Sequence, residues 1–327
     1  MDSIVAPWRI PMIKKNLTFL SKNRKTKIHT VIYLPENKEP KAILQITHGM
    51  AEYILRYEPF ASRLAEEGYI VAGHDHLGHG GSVNDWSDYG YFSDKPLETL
   101  LLDMHQLRVN LARRYPKLPY FMLGHSMGSY LLRAYLSVFG RDLSGAVIMG
   151  TGYVHPQMAG FGVALTKGMA LFRGWHHRSL LVQGMTYNRS YRSYDITGAK
   201  VKKNWLTKDW DIASSYRDDP LCGFLFTLNG HRGLFEAVGT ACLPETMEEY
   251  PKNLPLLLVS GEKDPVGDLG LGVRKVCEML KKAGMTNVRM KLYKGDRHEI
   301  LNEVDREQVI QDILDWMGEI VSERKPL

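Results

Sequence analysis
Five residues, Gly124-His125-Ser126-Met127-Gly128, form a G-x-S-x-G pattern between an apolar run, Tyr120 to Leu123, and a helix-like run, Ser129 to Phe139. A serine at a sharp strand-to-helix turn sits in a strained backbone region, and its hydroxyl stands clear only if its neighbours lack bulk. Gly124 and Gly128 satisfy that at no steric cost. A serine hydroxyl is a weak nucleophile alone, so the chemistry also needs a base and a group that orients the base. Asp264 follows the apolar run ending at Ser260, and His298 follows the run ending at Tyr293. His298 would take the Ser126 proton during attack and return it to a leaving group. Asp264 would hold the imidazole tautomer and stabilise the imidazolium. Asp268 and Glu262 are the alternatives for the acid, and an Asp-Pro after a strand is also a common turn former.

A tetrahedral intermediate needs donors for its oxyanion. One is expected from the backbone N–H of Met127, directly after the nucleophile. The other is expected from Met50, in Thr47-His-Gly-Met50 after the run Ala42 to Ile46, where Gly49 permits close approach. Losing one such donor typically lowers turnover by about 10²–10³.

The elements that must carry these groups are legible as apolar runs without alternation, the mark of buried parallel strands. They are Ala42 to Thr47, Tyr69 to His74, Tyr120 to Leu123, Gly145 to Met149, Leu256 to Ser260 and Val288 to Tyr293. Amphipathic helices are expected between them: Tyr57 to Glu67, Leu97 to Tyr115, Ser126 to Phe139 and Leu269 to Ala283, with Gly68, Gly140 and Gly284 as stops. A closing helix from about Val304 to Ser322 presents Val309, Ile313, Trp316 and Ile320 on one face. Alternating strands and helices imply a mostly parallel, doubly wound α/β sheet, with antiparallel edge strands within Thr18 to Leu34. The nucleophile, acid and histidine then meet at the carboxyl ends of the strands, where such sheets place their sites.

The alternation breaks over residues 153–247, read as an inserted helical lid whose last part is a body helix. Residues 1–152 and 248–327 form the body. Within the lid, Met158, Phe161, Leu165, Met169 and Phe172 fall at helical spacing. Such a stripe either walls an acyl chain and touches a membrane or micelle, or simply packs on the body. From Tyr153 to Asp219 ten Lys and Arg stand against five Asp, 10 − 5 = +5. A basic lid suits anionic or zwitterionic head groups, and a solvated charged face is the plainer reading.

With 327 residues, 44% hydrophobic and 24% charged, the chain reads as globular. The net charge of +6 comes from scattered lysines and arginines without a basic stripe interleaved with aromatics, so nucleic acid is not an expected partner. Three cysteines without C-x-x-C spacing suggest a reducing compartment. With no evident signal peptide or run of about eighteen apolar residues, a cytoplasmic enzyme is expected. His74-Asp75-His76-Leu77-Gly78-His79 imitates a zinc cluster, but Gly78 stands where a metallo-hydrolase H-x-H-x-D-H carries aspartate. The run reads better as a tight loop at a strand end.

Thr47-His-Gly-Met-Ala-Glu-Tyr53, His74-Asp-His-Leu-Gly-His-Gly80, Gly124-His-Ser-Met-Gly128, Gly261-Glu-Lys-Asp264 and Arg297-His-Glu-Ile-Leu-Asn-Glu303 together resemble the monoacylglycerol lipase and lysophospholipase group of α/β-hydrolases. The likeness runs from about Leu17 to Met317, is poor in the lid, and has Tyr53 where the group often has histidine. It implies the α/β-hydrolase fold, a lid between the sixth and seventh strands, and no cofactor. It also implies a serine carboxylic ester hydrolase with Ser126, Asp264 and His298 as triad and Met50 and Met127 as oxyanion hole. Three rivals stay open: a serine peptidase or amidase of the same fold, a ligand receptor built on a hydrolase body, and a zinc hydrolase using His74, His76 and His79.

Overall fold
The computed structural model describes residues 12–187, 189–194 and 204–323. It opens with two strands, β1 (Met12–Leu20) and β2 (Lys27–Pro35), paired antiparallel. Then come β3 (Ala42–Thr47), α1 (Glu58–Glu66), β4 (Tyr69–His74), α2 (Pro96–Arg114), β5 (Tyr120–His125), α3 (Met127–Phe139) and β6 (Gly145–Met149). After a long excursion, β7 (Leu256–Gly261), α9 (Leu271–Lys282), β8 (Val288–Tyr293) and α10 (Arg306–Glu323) complete the sheet layer. The excursion carries α4 (Pro156–Arg173), α5 (Leu180–Gly184), α6 (Trp210–Asp218), α7 (Leu228–Cys242) and α8 (Pro244–Glu248). The strand order is β1-β2-β4-β3-β5-β6-β7-β8, with β2 antiparallel to both neighbours and the rest parallel. This is the α/β-hydrolase architecture.

The central strands are buried at every residue because helices cover both sheet faces. On one face α2, α3, α7 and α9 enclose a core that includes Leu107, Leu131, Ala237 and Val276. On the other, α1 and α10 bury Leu64, Val309, Ile313 and Trp316 against Phe121, Val147 and Val259. Ile320 packs at the margin of that second core, as the closing-helix pattern predicts.

Three details depart from expectation. β8, read as a buried strand, is the sheet's edge, and of its residues only Tyr293 is buried, because among the described residues no further strand covers its outer side. The first edge strand starts at Met12 rather than near Thr18, because β1 follows β2 along its whole length, pairing Met12 with Pro35. Gly140 is not a left-handed helix stop. Its φ is −62°, and the chain continues into a 3₁₀ turn, Gly140–Asp142. A Cβ there would lie 3.0 Å from Pro251 Cδ, so close approach accounts for the glycine. Gly68 and Gly284 do adopt positive φ.

Candidate functional site
Parallel pairing of β3, β5, β6, β7 and β8 brings their carboxyl ends to one rim, and every sequence-predicted chemical group follows one of those ends. Ser126 leaves β5 with φ 53° and ψ −121°, a region that L-residues rarely occupy. Room for this turn comes from its glycines: a Cβ on Gly128 would collide with the Thr47 carbonyl oxygen, and one on Gly124 with that of Gly128. Gly128→Ala is therefore expected to cost at least the upper end of the about 1–3 kcal/mol typical of overpacking. A thermal melt of the purified variant checks this, and a midpoint equal to wild type would contradict it.

His298 and Asp264 are both buried, and His298 Nδ1 lies 3.0 Å from each Asp264 carboxylate oxygen. Asp264 also accepts from Ser260 Oγ at 3.0 Å and from the Val266 amide at 2.8 Å. Burial raises the pKa of this carboxyl, but the charge of His298 and these hydrogen bonds outweigh burial, and the pKa is lowered. A carboxylate with bonds on both oxygens fixes the ring orientation through Nδ1, which leaves Nε2 free of Asp264 on a ring that borders the cavity. Asp264, not Asp268 or Glu262, makes this contact.

Ser126 and His298 flank one strand end. The Ser126 amide donates to Met149 O at 3.0 Å, and a Cβ on the next residue, Gly150, would lie 3.0 Å from His298 Cε1. Both line a cavity of about 470 Å³ together with Met50 and Met127. Among the described residues the Ser126 hydroxyl makes no hydrogen bond, so the structure brings the pair to one wall without joining them. In unliganded enzymes such bonds are often long and tighten only with substrate. The Met50 and Met127 amides likewise donate to no protein acceptor among the described residues, whereas the neighbouring Gly49 and Ala51 amides are taken.

A buried charge cluster supports this wall. Arg56 reaches Glu52 Oε2 at 2.6 Å and clamps Glu299 through two bonds of 2.8 and 2.7 Å. Glu52 Oε1 accepts from the Gly49 amide at 2.6 Å and from Tyr57 Oη at 2.9 Å. Tyr57 Oη also lies 2.8 Å from Nδ1 of His125, whose ring lies 4.7 Å from that of His298, tilted by 36°. Burial alone would raise Glu52, but its bond to His125 and the charge of Arg56 hold it well below the usual carboxylate range. Burial opposes a charge on His125, and Glu52 overcomes it, raising that pKa. Sequence reasoning finds Glu52 and Glu299 only as letters inside motifs, and misses Arg56 and Tyr57. The i, i+4 spacing of Glu52 and Arg56 is the signal that could have pointed to them.

The family model described as serine aminopeptidase, S33 matches residues 38–305. The chain belongs to that family. It is 31% identical to a thermostable carboxyl esterase from Bacillus coagulans, with a TM-score of 0.87 over 95% of this chain and 99% of that one. It is 25% identical to a monoacylglycerol lipase of Mycolicibacterium smegmatis over 88% of this chain and 91% of the relative. A monoglyceride lipase from Saccharomyces cerevisiae shares the fold, with a TM-score of 0.74 at 19% identity over 94% of each chain. The protein is thus an α/β-hydrolase of the esterase and monoacylglycerol lipase-like kind.

In this α/β-hydrolase the cavity is lined differently from the helical stripe read in the sequence. Of Met158, Phe161, Leu165, Met169 and Phe172, the cavity touches Met158 alone. Phe161 and Phe172 are 58% and 88% exposed, and Leu165 and Met169 pack beside Val182, Leu228 and Phe235. The reason is steric: α4 buries its small residues, Ala159, Gly162, Thr166 and Ala170, against α7. A Cβ on Gly162 would lie 2.6 Å from the Phe235 ring. The apolar wall is built by Phe224, Leu234, Phe235 and Val238, with Tyr187, Tyr191 and Trp205 beside them. None of these stands in a pattern that marks it beforehand.

The histidine run forms the tight loop expected, with positive φ at Gly78 and Gly80. Of its rings, His79 is an acceptor, taking the Ala51 amide on Nε2 at 3.1 Å, while the His76 amide donates to Nε2 of His48 at 2.9 Å; the ring nitrogens of His74 and His76 have no hydrogen-bond partner among the described residues. Burial pushes His74 and His79 down to about 3. The nitrogens of His74, His76 and His79 do not converge on one point. Among the described residues the three ligand atoms that do are carboxylates of Asp296, Glu303 and Asp305, and the Lys208 ammonium sits among them. The zinc reading therefore gives way to a structural one, in which the His79 ring and the His76 backbone amide brace the loop that carries Met50.

Proposed function
We propose that this α/β-hydrolase is a serine carboxylic ester hydrolase that cleaves lipid-like monoesters through an acyl-enzyme on Ser126. The observation that carries the reading is the strained Ser126 and the Asp264-oriented His298 opening into one largely apolar cavity. His298 Nε2 takes the Ser126 proton as Oγ bonds to the ester carbonyl carbon, and the oxyanion accepts from the Met50 and Met127 amides. The tetrahedral species collapses, the C–O bond to the alcohol breaks, and the imidazolium returns the proton to the departing alkoxide. Water then repeats the sequence, releasing the carboxylic acid and restoring Ser126.

The cavity volume falls within the about 300–1,000 Å³ of ligand sites, and its apolar wall suits an acyl chain. Residues 153–247 are read as the inserted lid. Its exposed Phe161, Leu171, Phe172, Leu180 and Leu181 make an apolar face suited to transient contact with a membrane or micelle. No described helix is long and apolar enough to cross a membrane. The three cysteines are buried and unpaired, in keeping with a cytoplasmic setting. Aminopeptidase action needs a free carboxylate for the substrate ammonium. Among the described residues, the two carboxylates lining the cavity, Glu52 and Glu299, are already engaged by Arg56, which favours ester over peptide.

Steady-state rates on monoacylglycerols, lysophospholipids and matched amides test the reading. The expected result is multiple turnover on a monoester, with kcat/KM at least about 10²-fold above the amide. A strong chelator should leave the rate unchanged. Equal or faster amide cleavage, a single acylation without turnover, or chelator-sensitive activity that zinc restores would each overturn it.

A further inference from the structure
His298 stands on an irregular stretch between β8 and α10, interrupted only by a 3₁₀ turn, Ile300–Asn302. A loop offers its own backbone groups few partners, yet a general base must be held to a fraction of an ångström. The missing partners come from residues 204–209, which precede α6. The His298 and Glu299 amides donate to Trp205 O at 3.4 Å and Leu206 O at 2.7 Å. The Trp205 ring lies 5.1 Å from the His298 ring, tilted by 33°, and the His298 ring also borders that of His125. Tyr191 in turn packs edge-on against Trp205 at 5.3 Å.

One fully buried side chain joins the two segments. Glu303 Oε1 accepts from the Arg297 amide at 2.9 Å, the residue before His298. Glu303 Oε2 accepts from the Lys208 amide at 3.0 Å and the Thr207 hydroxyl at 3.2 Å. Thr207 Oγ1 also bonds Asn302 O at 2.9 Å, and the Lys208 ammonium pairs with the buried Asp296.

We propose that Glu303 is a positioning residue for His298: it fastens the 204–209 strap to the histidine loop, and through Trp205 the strap sets the imidazole. This rests on the reading of His298 as the general base and deepens it, because it makes part of the segment between α5 and α6 a component of the proton-transfer machinery rather than a cover. Glu303 itself does not line the cavity, so substrate binding should not depend on it. A carboxylate can accept on both oxygens. The amide of Glu303→Gln can accept on one only, and its NH₂ must face either the Arg297 amide or the Lys208 and Thr207 donors.

The test compares two esters of one acid, a p-nitrophenyl ester and a glyceryl ester. The alkoxide of glycerol needs a proton to leave, whereas nitrophenolate does not, so a displaced imidazole harms the glyceryl ester more. Glu303→Gln is expected to lose about 10²-fold in kcat/KM, which reports acylation, on the glyceryl ester, the scale of a small misplacement, and several-fold less on the nitrophenyl ester. Thr207→Val, which removes one strut, should lose less in the same order, and serves if Glu303→Gln folds poorly. Folded variants with unaltered kcat/KM, or with equal losses of kcat/KM on both esters, would overturn the proposal. Retained turnover in Ser126→Ala would instead remove the nucleophile reading on which it stands.

Discussion
Ser126→Ala is expected to fold with an unchanged thermal midpoint and to lose turnover on the order of 10⁶, the scale seen when the serine is removed from subtilisin, a different triad hydrolase. Stability should hold because the hydroxyl makes no hydrogen bond among the described residues. Alanine keeps the same Cβ in the same left-handed backbone, so the strain at φ 53° is neither relieved nor added. Activity should fall because, among the described residues, Ser126 is the one serine lining the cavity, beside Met127 and His298. A residual rate above water is expected from the Met50 and Met127 amides and from binding. Steady-state kinetics on a p-nitrophenyl ester, beside a melt, separates the two effects.

Arg56→Met should have the largest effect on stability. Arg56 is the cation placed between Glu52 and Glu299, and removing one partner of a buried ionic cluster typically costs about 3–5 kcal/mol. In a domain of this size that is a fall in Tm on the order of 10 °C. The pH dependence gives the sign. In the wild type burial pushes Glu52 and Glu299 up, but His125 and Arg56 for the first, and Arg56 for the second, outweigh it and hold both pKa values down. Depressed carboxyls contribute stability that is present above about pH 4.3 and is lost as pH falls through their folded values. In Arg56→Met burial and mutual repulsion act with less opposition, the two pKa values rise, and protonation favours the folded state. The deficit against wild type is therefore expected to be greatest near pH 8 and to shrink toward pH 5. Melts of both proteins across that range check it. A constant deficit would mean that the lost term is packing against Tyr216, over which the guanidinium lies at 4.8 Å.

Much of this molecule is written locally in the chain. The central strands are legible because a strand covered on both faces is largely apolar, and Ala42–Thr47, Tyr69–His74 and Gly145–Met149 fall at the expected bounds; Val288–Tyr293 falls there too, but as a half-exposed edge strand. The elbow is legible because only glycine fits beside Thr47 and Gly128 carbonyl oxygens. Asp264 and His298 are legible because they follow strand ends in an order that the fold turns into proximity. What resists reading is long-range. Arg56 meets Glu299 across 243 positions, and Glu303 meets Thr207 across 96. No periodicity encodes such pairs. Helix α4 misleads for a different reason: its hydrophobic stripe is conspicuous, but close helix packing selects the small residues Ala159, Gly162 and Ala170 instead. The histidine run misleads because burial favours neutral imidazole and leaves His79 an acceptor for the Ala51 amide, where spacing alone suggests a metal.

The central claim is that an ester's acyl group passes through one hydroxyl. Quenching the protein with acid during turnover of a p-nitrophenyl ester, then mapping the peptides by mass spectrometry, locates that group directly. The account predicts a single acyl adduct on Ser126, absent from Ser126→Ala. An adduct on any other residue, or rapid turnover with no adduct on Ser126 at any quench time, would contradict it.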